Sequence, residues 1–141
     1  AGVSRIDEST GQVSRDGTKT ALLYLPYDIA FLAGFDNSYV AQVVAIKIYG
    51  QMVMCRTGIF VGVVGWMDSL PVGNTDIDIE KNGTSIFSTK PHFSAYTTNT
   101  LDELGVLSTT TFVTGDRITF KVTALGSTPG SGMRVTLKCK V

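Results

Sequence analysis

The nearest approach to a chemical constellation in this chain is Asp76, Asp78 and Glu80, three carboxylates spaced two residues apart. On a strand that spacing puts all three on one face, and a hard cation such as calcium takes several oxygen ligands. Alternate residues of a regular strand sit about 7 Å apart, however, and calcium sites usually draw their ligands from loops. The favoured reading is a solvated outer face paired with Lys or Arg from the next strand. His92 is the single histidine and stands between Pro91 and Phe93. A histidine base needs an oriented partner and a nucleophile to serve. The serines and threonines are scattered, with no Gly-x-Ser-x-Gly and no pair of carboxylates flanking a cleft motif. No catalytic residue, cofactor site or metal site is therefore assigned, and no enzyme is expected.

Three further features have both a chemical and a structural reading. Gly126 to Gly132 is glycine-rich but joins two predicted strands, and a phosphate-cradling loop needs the helix that would follow it. It reads as a hairpin loop. Trp66 could stack against a sugar ring, yet amid Val64, Gly65 and Met67 a place in a core or an interface is favoured. Cys55 lies in the apolar run Met52-Val53-Met54-Cys55, and Cys139 falls on the apolar face of the last predicted strand. Both are expected as buried free thiols acting as small hydrophobes. Their spacing offers no metal motif, although it leaves a bridge between them open.

The elements that would position these residues are strands. Asp76-Ile77-Asp78-Ile79-Glu80 runs into Lys81-Asn82-Gly83-Thr84, and Ser85-Ile86-Phe87-Ser88 leads out. Asn-Gly between alternating segments is a strong hairpin signal, because a type I′ turn needs positive φ at both central residues. Ile118, Phe120, Val122 and Ala124 alternate with Arg117, Thr119, Lys121 and Thr123. Met133, Val135, Leu137, Cys139 and Val141 alternate with Arg134, Thr136, Lys138 and Lys140. One face of each strand is fit for a core and the other for water. Upstream, Val43 to Ile48 is β-branched enough to favour a strand. Gln51 to Arg56 and Ile59 to Met67 follow as strands, with Gly50 and Gly58 as punctuation; the second is apolar or small on both faces, as in a doubly covered strand.

Residues 1–20 are polar and without a sustained period, and read as an extended N-terminal arm. Ala21 to Phe35 is apolar and aromatic with no clean period, and Pro26 argues against a helix or a central strand there. Such a segment must be covered by its own sandwich or by a partner. Residues 91 to 105 form the longest irregular stretch. With six to eight short strands, no internal repeat and no heptad, the expected fold is all-β: an antiparallel, jelly-roll-like β-sandwich over residues 21–141 with the arm at 1–20. A helix of more than three turns is not expected.

Whole-chain composition narrows the classes of function. Over 141 residues, 12 basic and 12 acidic side chains give zero net charge, with none of the excess a nucleic-acid binder concentrates on one face. The charged fraction of 17% is low and the apolar fraction is 43%, which points weakly to surface covered by other subunits. The chain opens Ala1-Gly2-Val3-Ser4-Arg5, without a secretory pattern, and its most apolar early stretch is too short to span a bilayer. A soluble protein synthesised in a cytoplasm is expected, with no nucleic-acid or membrane partner.

From about Arg56 onward the order of pieces resembles a β-sandwich module of virion proteins of tailed bacteriophages. The pieces are Asp78 to Pro91 with its Lys-Asn-Gly turn, then Gly115-Asp116-Arg117-Ile118-Thr119-Phe120-Lys121-Val122, then Gly126-Ser127, and finally Gly132-Met133-Arg134-Val135-Thr136-Leu137. Proteins with this module are tail-associated, receptor-binding or on the capsid surface, so the resemblance implies a virion role without fixing it, and it implies no catalytic residue. Small size, the arm, the apolar N-terminal half and the low charge favour a capsid decoration (cement) protein. It would bind the major capsid protein on the outer capsid surface as a homo-oligomer, a trimer because capsid lattices offer threefold sites. The alternative is a tail or fibre domain that recognises a cell-surface glycan. Exposed aromatic residues such as Trp66, Tyr96, or His92 with Phe93, would serve it. A hydrolase on the same sandwich would lack its acid/base pair.

Overall fold

Alternation in the last strands sets the architecture. The computed structural model describes residues 5–7, 12–15, 18–21, 25–95 and 98–141. Three short strands come first: β1 (Arg5–Asp7), β2 (Gln12–Arg15) and β3 (Thr18–Ala21). The central run is β4 (Ile29–Ala33), β5 (Lys47–Val53), β6 (Gly58–Ser69) and β7 (Thr75–Lys81). Next are β8 (Thr84–Ser85), β9 (Phe87–Thr89), β10 (His92–Phe93), β11 (Val106–Leu107) and β12 (Thr111–Phe112). The long strands β13 (Arg117–Ala124) and β14 (Ser131–Lys140) close the chain. There is no helix among the described residues.

Two antiparallel sheets face each other across one core. The first has the order β12-β6-β14-β4; the second has the order β10-β7-β13-β5, with β8 pairing β7. From β4 to β7 the chain alternates between the sheets, and it does so again from β12 to β14, which gives the jelly-roll-like sandwich expected. The inward residues of β13, Ile118, Phe120 and Val122, are buried, as are Met133, Val135, Leu137 and Cys139 of β14. Phe31 of β4 stacks on Phe120 of β13 with ring centroids 5.1 Å apart, which ties one sheet to the other. Phe60 packs against Phe112 at 4.9 Å and helps close one end.

The apolar segment around Pro26 is part of the sandwich. Leu25 and Tyr27 donate to the carbonyls of Val141 and Cys139 at 3.2 and 2.9 Å, and β4 continues along the same side of β14. Pro26 thus sits at a sheet edge, where its missing N–H costs no ladder bond. Ile29, Phe31 and Ala33 are buried while Ala30 and Leu32 are exposed, an alternation that the flanking aromatic residues obscure in the sequence.

Three details depart from the expected strands. Val43 makes only an isolated bridge with Ser131, and the regular strand begins at Lys47. Gly50 lies inside β5 opposite Phe120 rather than at a boundary. A Cβ there would sit 2.9 Å from Cδ1 of Phe31, so the glycine makes room for the ring. In β6, buried Gly58 and Phe60 give way to buried Val63 and Met67. The phase changes because Val61 is an extra residue: Lys138 pairs with Gly62, but Cys139 pairs with Phe60. Such a bulge turns the following side chains to the other face.

The Asn82-Gly83 turn is as expected. Lys81 pairs with Thr84 across it, and φ is 52° at Asn82 and 89° at Gly83, the signature of a two-residue type I′ turn. Open space surrounds the position of a Cβ at Gly83, so Gly83→Val tests backbone strain alone. We expect a loss of about 1–3 kcal/mol in thermal or chemical unfolding; an unchanged melting temperature would contradict the turn's role.

At the N-terminus, β1, β2 and β3 form an antiparallel sheet of their own, with the order β1-β2-β3. Among the described residues they have no ladder with the sandwich. Residues 1–4, 8–11, 16–17 and 22–24 of the expected arm and its junction lie outside the described residues.

Candidate functional site

Strand pairing builds the outer face of the second sheet row by row. Arg117 lies opposite Val53, Thr119 between Gln51 and Glu80, and Lys121 between Ile48 and Asp78. Thr119 is short and its neighbours are long, so the surface is dished over it. The resulting pocket, about 540 Å³, is lined among others by Ile48, Gln51, Val53, Glu80, Arg117 and Thr119. Its apolar side is the β5 edge, where Ile48 and Val53 are more than half exposed. On its polar side, Lys121 Nζ holds a Glu80 oxygen at 2.9 Å, and that carboxylate keeps the Lys121 ammonium above its ordinary value. Asn82 is locked at the rim. Its Oδ1 accepts from the Arg117 backbone N–H at 2.9 Å, and its Nδ2 donates to Asp116 Oδ1 at 3.0 Å. Asp116 in turn accepts from the Val113 N–H at 2.8 Å, and these two hydrogen bonds lower its carboxyl below the usual range.

Asp76, Asp78 and Glu80 do not share one environment. Asp76 and Glu80 are half-buried, while Asp78 is only 2% exposed. After the hairpin the chain folds back and brings Ser85 Oγ to 2.5 Å from Asp78 Oδ1 and Lys90 Nζ to 3.8 Å from Oδ2. Pairing with lysines is therefore observed for Glu80 and Asp78, but a fully solvated face is not. Desolvation raises the Asp78 carboxyl above its ordinary value, against the opposing pulls of Ser85 and Lys90. A raised folded-state pKa means that ionising Asp78 costs stability. The cost is absent below the unfolded-state value near pH 4, grows as pH rises through the folded pKa, and is constant above it. Asp78→Asn keeps an acceptor for Ser85. We expect it to raise the unfolding midpoint at pH 7 and to lose that gain below pH 4; a destabilised variant at pH 7 would reverse the assignment. Among the described residues, no group of three His, Cys, Asp or Glu gathers in a metal-holding arrangement.

Among the described residues the expected aromatic cluster is not assembled. Trp66 is 47% exposed on the outer face of the first sheet. Its cross-strand partner Arg134 forks onto Asp68 at 2.7 and 3.4 Å and lies 4.9 Å from the Phe35 ring centroid. Phe93 is wholly buried, its ring occupying the space that Gly65 leaves without a Cβ. His92 is half-buried at the far edge of the second sheet, with Nε2 3.3 Å from Asp102 Oδ2. Tyr96 lies outside the described residues.

The cysteines divide. Cys139 is buried, and desolvation pushes its thiol up to about 12, so it is inert as a nucleophile. Cys55 is exposed, contrary to expectation, because the chain has left β5 by that point; its sulfur lies 3.0 Å from the Tyr27 hydroxyl. The loop from Gly126 bridges Val72 through Thr128 and carries the chain from β13 in the second sheet to β14 in the first. It is a crossover between the sheets and not the expected hairpin loop, because the two strands it joins do not pair. Of the pocket residues, Arg117 and Thr119 were legible only as positions on the polar face of a strand and Gln51 only as the start of one, because concavity depends on side-chain lengths in three paired strands. No protein-family model matches this chain, and no curated protein matches it.

Proposed function

We propose that the chain is a non-enzymatic virion structural protein of a tailed bacteriophage, a capsid decoration (cement) protein that binds the major capsid protein on the outside of the head and stabilises it, as a trimer. One observation carries the reading: a small sandwich with a filled core still exposes many large apolar side chains. Leu32, Val64 and Trp66 stand on one sheet face, and Tyr39, Val40, Val43 and Ile46 follow β4 along the chain. Scattered exposed apolar residues are ordinary in monomers, but this density on 141 residues suits a protein whose surface is covered by copies of itself or by a shell. The resemblance of the ordered strand pieces supports a virion setting. In the test, purified protein is added to heads of the encoding virus that lack it. Saturable decoration and a raised head-disruption temperature are expected; density on the tail alone would refute the proposal.

The arm enters as an attachment device. The strands β1, β2 and β3 pair only with one another among the described residues, so deleting residues 1–18 should leave the unfolding transition of the sandwich unchanged and weaken decoration by about tenfold or more. Equal decoration by the truncated chain would remove the arm from the mechanism. A glycan-recognising tail or fibre domain is the second reading, and the pocket on the second sheet is the observation that favours it.

A further inference from the structure

We infer that the dished face over Thr119 is a binding site for a carboxylate-bearing saccharide, with Arg117 as the carboxylate receptor. The inference is independent of whether the protein sits on head or tail. It begins with an unmatched cation. No carboxylate among the described residues lies within ion-pair distance of the Arg117 guanidinium, although two stand close in the fold. Asp116 is engaged by Asn82 and Val113 at 3.0 and 2.8 Å, with Lys81 at 3.9 Å. Glu80 is engaged by Lys121 at 2.9 Å. A planar guanidinium fork is shaped for two-point contact with a carboxylate.

The remaining lining narrows the ligand. Gln51 Nε2 reaches Thr119 Oγ1 only at 3.5 Å, a contact too long to occupy either group. An amide, a hydroxyl and the Glu80 carboxylate therefore converge on the floor with hydrogen-bonding capacity to spare, which suits several hydroxyls on one rigid ligand. Ile48 and Val53, on the β5 side, offer an apolar wall for the C–H face of a pyranose ring. A volume of about 540 Å³ falls in the range of small-ligand pockets.

Other ligand classes fit less of this surface. A phosphate would meet Arg117 but leave the apolar wall of Ile48 and Val53 uncovered. A simple aliphatic acid would leave Gln51 and Thr119 without partners. A neutral sugar would leave Arg117 unmatched. Only a sugar that carries a carboxylate, of the uronic or sialic kind, uses the cation, the polar floor and the apolar wall together. With no aromatic platform in the lining, a weak affinity is expected, on the order of 1 mM.

The test is titration of the isotope-labelled full chain, observed by amide chemical shifts, with methyl glucuronide, a methyl sialoside, methyl glucoside and inorganic phosphate. Saturable shifts confined to β5, β13 and the Asn82-Gly83 turn are expected with at least one of the acidic sugars. Methyl glucoside and phosphate should bind about tenfold more weakly or not at all. Arg117→Ala should weaken the acidic sugar by about tenfold while leaving the rest of the amide spectrum in place, since the Arg117 side chain is exposed and only its backbone N–H holds Asn82. Trp66→Ala, on the other sheet, should bind as the parent does. The inference is overturned if neither acidic sugar shifts these residues at concentrations up to about 20 mM, if methyl glucoside binds equally well, or if Arg117→Ala binds as tightly as the parent.

Discussion

Replacing Phe120 with alanine should remove about 3–5 kcal/mol of stability, read from the urea midpoint at constant m-value. Phe120 is fully buried in the middle of β13 and stacks on Phe31 of the opposite sheet with only 22° between ring planes. Two costs therefore combine: the lost burial of a large apolar ring and the lost packing surface for Phe31. Collapse into the gap is hindered because β13 is hydrogen-bonded on both sides, to β5 and to β7. Phe120→Leu, which retains much of the volume, should lose clearly less. A loss below about 1 kcal/mol for the alanine variant would mean that the two sheets do not depend on this contact.

Gly34→Val should be nearly as damaging, for a different reason. Gly34 ends β4 with φ at 74°, a conformation that costs a β-branched residue about 1–3 kcal/mol. Its site is also closed: an added Cβ would overlap the Gln42 carbonyl oxygen and approach Val44 Cγ1 to 2.8 Å. That carbonyl is backbone, held near by the Gln42 N–H donating to the Gly34 oxygen at 2.7 Å, so it cannot swing away as a flexible side chain would. Overpacking adds about another 1–3 kcal/mol. Gly83→Val shares the strain and lacks the clash, so the difference in unfolding free energy between these variants isolates the steric part. Equal losses in both would show that the segment around Gln42 yields freely.

Much of the sandwich was legible where one face of a strand is dry and the other wet. In β13 and β14 the apolar residues at alternate positions are the buried ones, and Asn82-Gly83 forms the turn its sequence demands. Legibility failed where a contact comes from the other sheet or from a returning chain. Gly50 read as punctuation because nothing in its neighbourhood announces the Phe31 ring that needs its space. Asp78 read as solvated because the residues that cover it, Ser85 and Lys90, arrive only after the chain turns back. Trp66 and Phe93 are both aromatic, yet one faces solvent and the other fills the notch at Gly65, a difference fixed by strand phase rather than residue type. The candidate pocket was the least legible feature. It is a relief of long and short side chains drawn from β5, β7 and β13, and no one of these segments carries its outline.

The extra residue in β6 bears on how errors of assembly are kept out. A strand with strict alternation can slide by two positions against its neighbour and still bury the right kind of face. With Val61 extra, the pairs from Lys138 to Met133 and the pairs beyond Cys139 obey different offsets. Any slide that satisfies one half of the strand misaligns the other, so the two long strands fit together like a key with a single notch. The sheet thereby acquires a proofreading mark near one end of its longest ladder, one that disfavours shifted pairings while the chain is still finding its place.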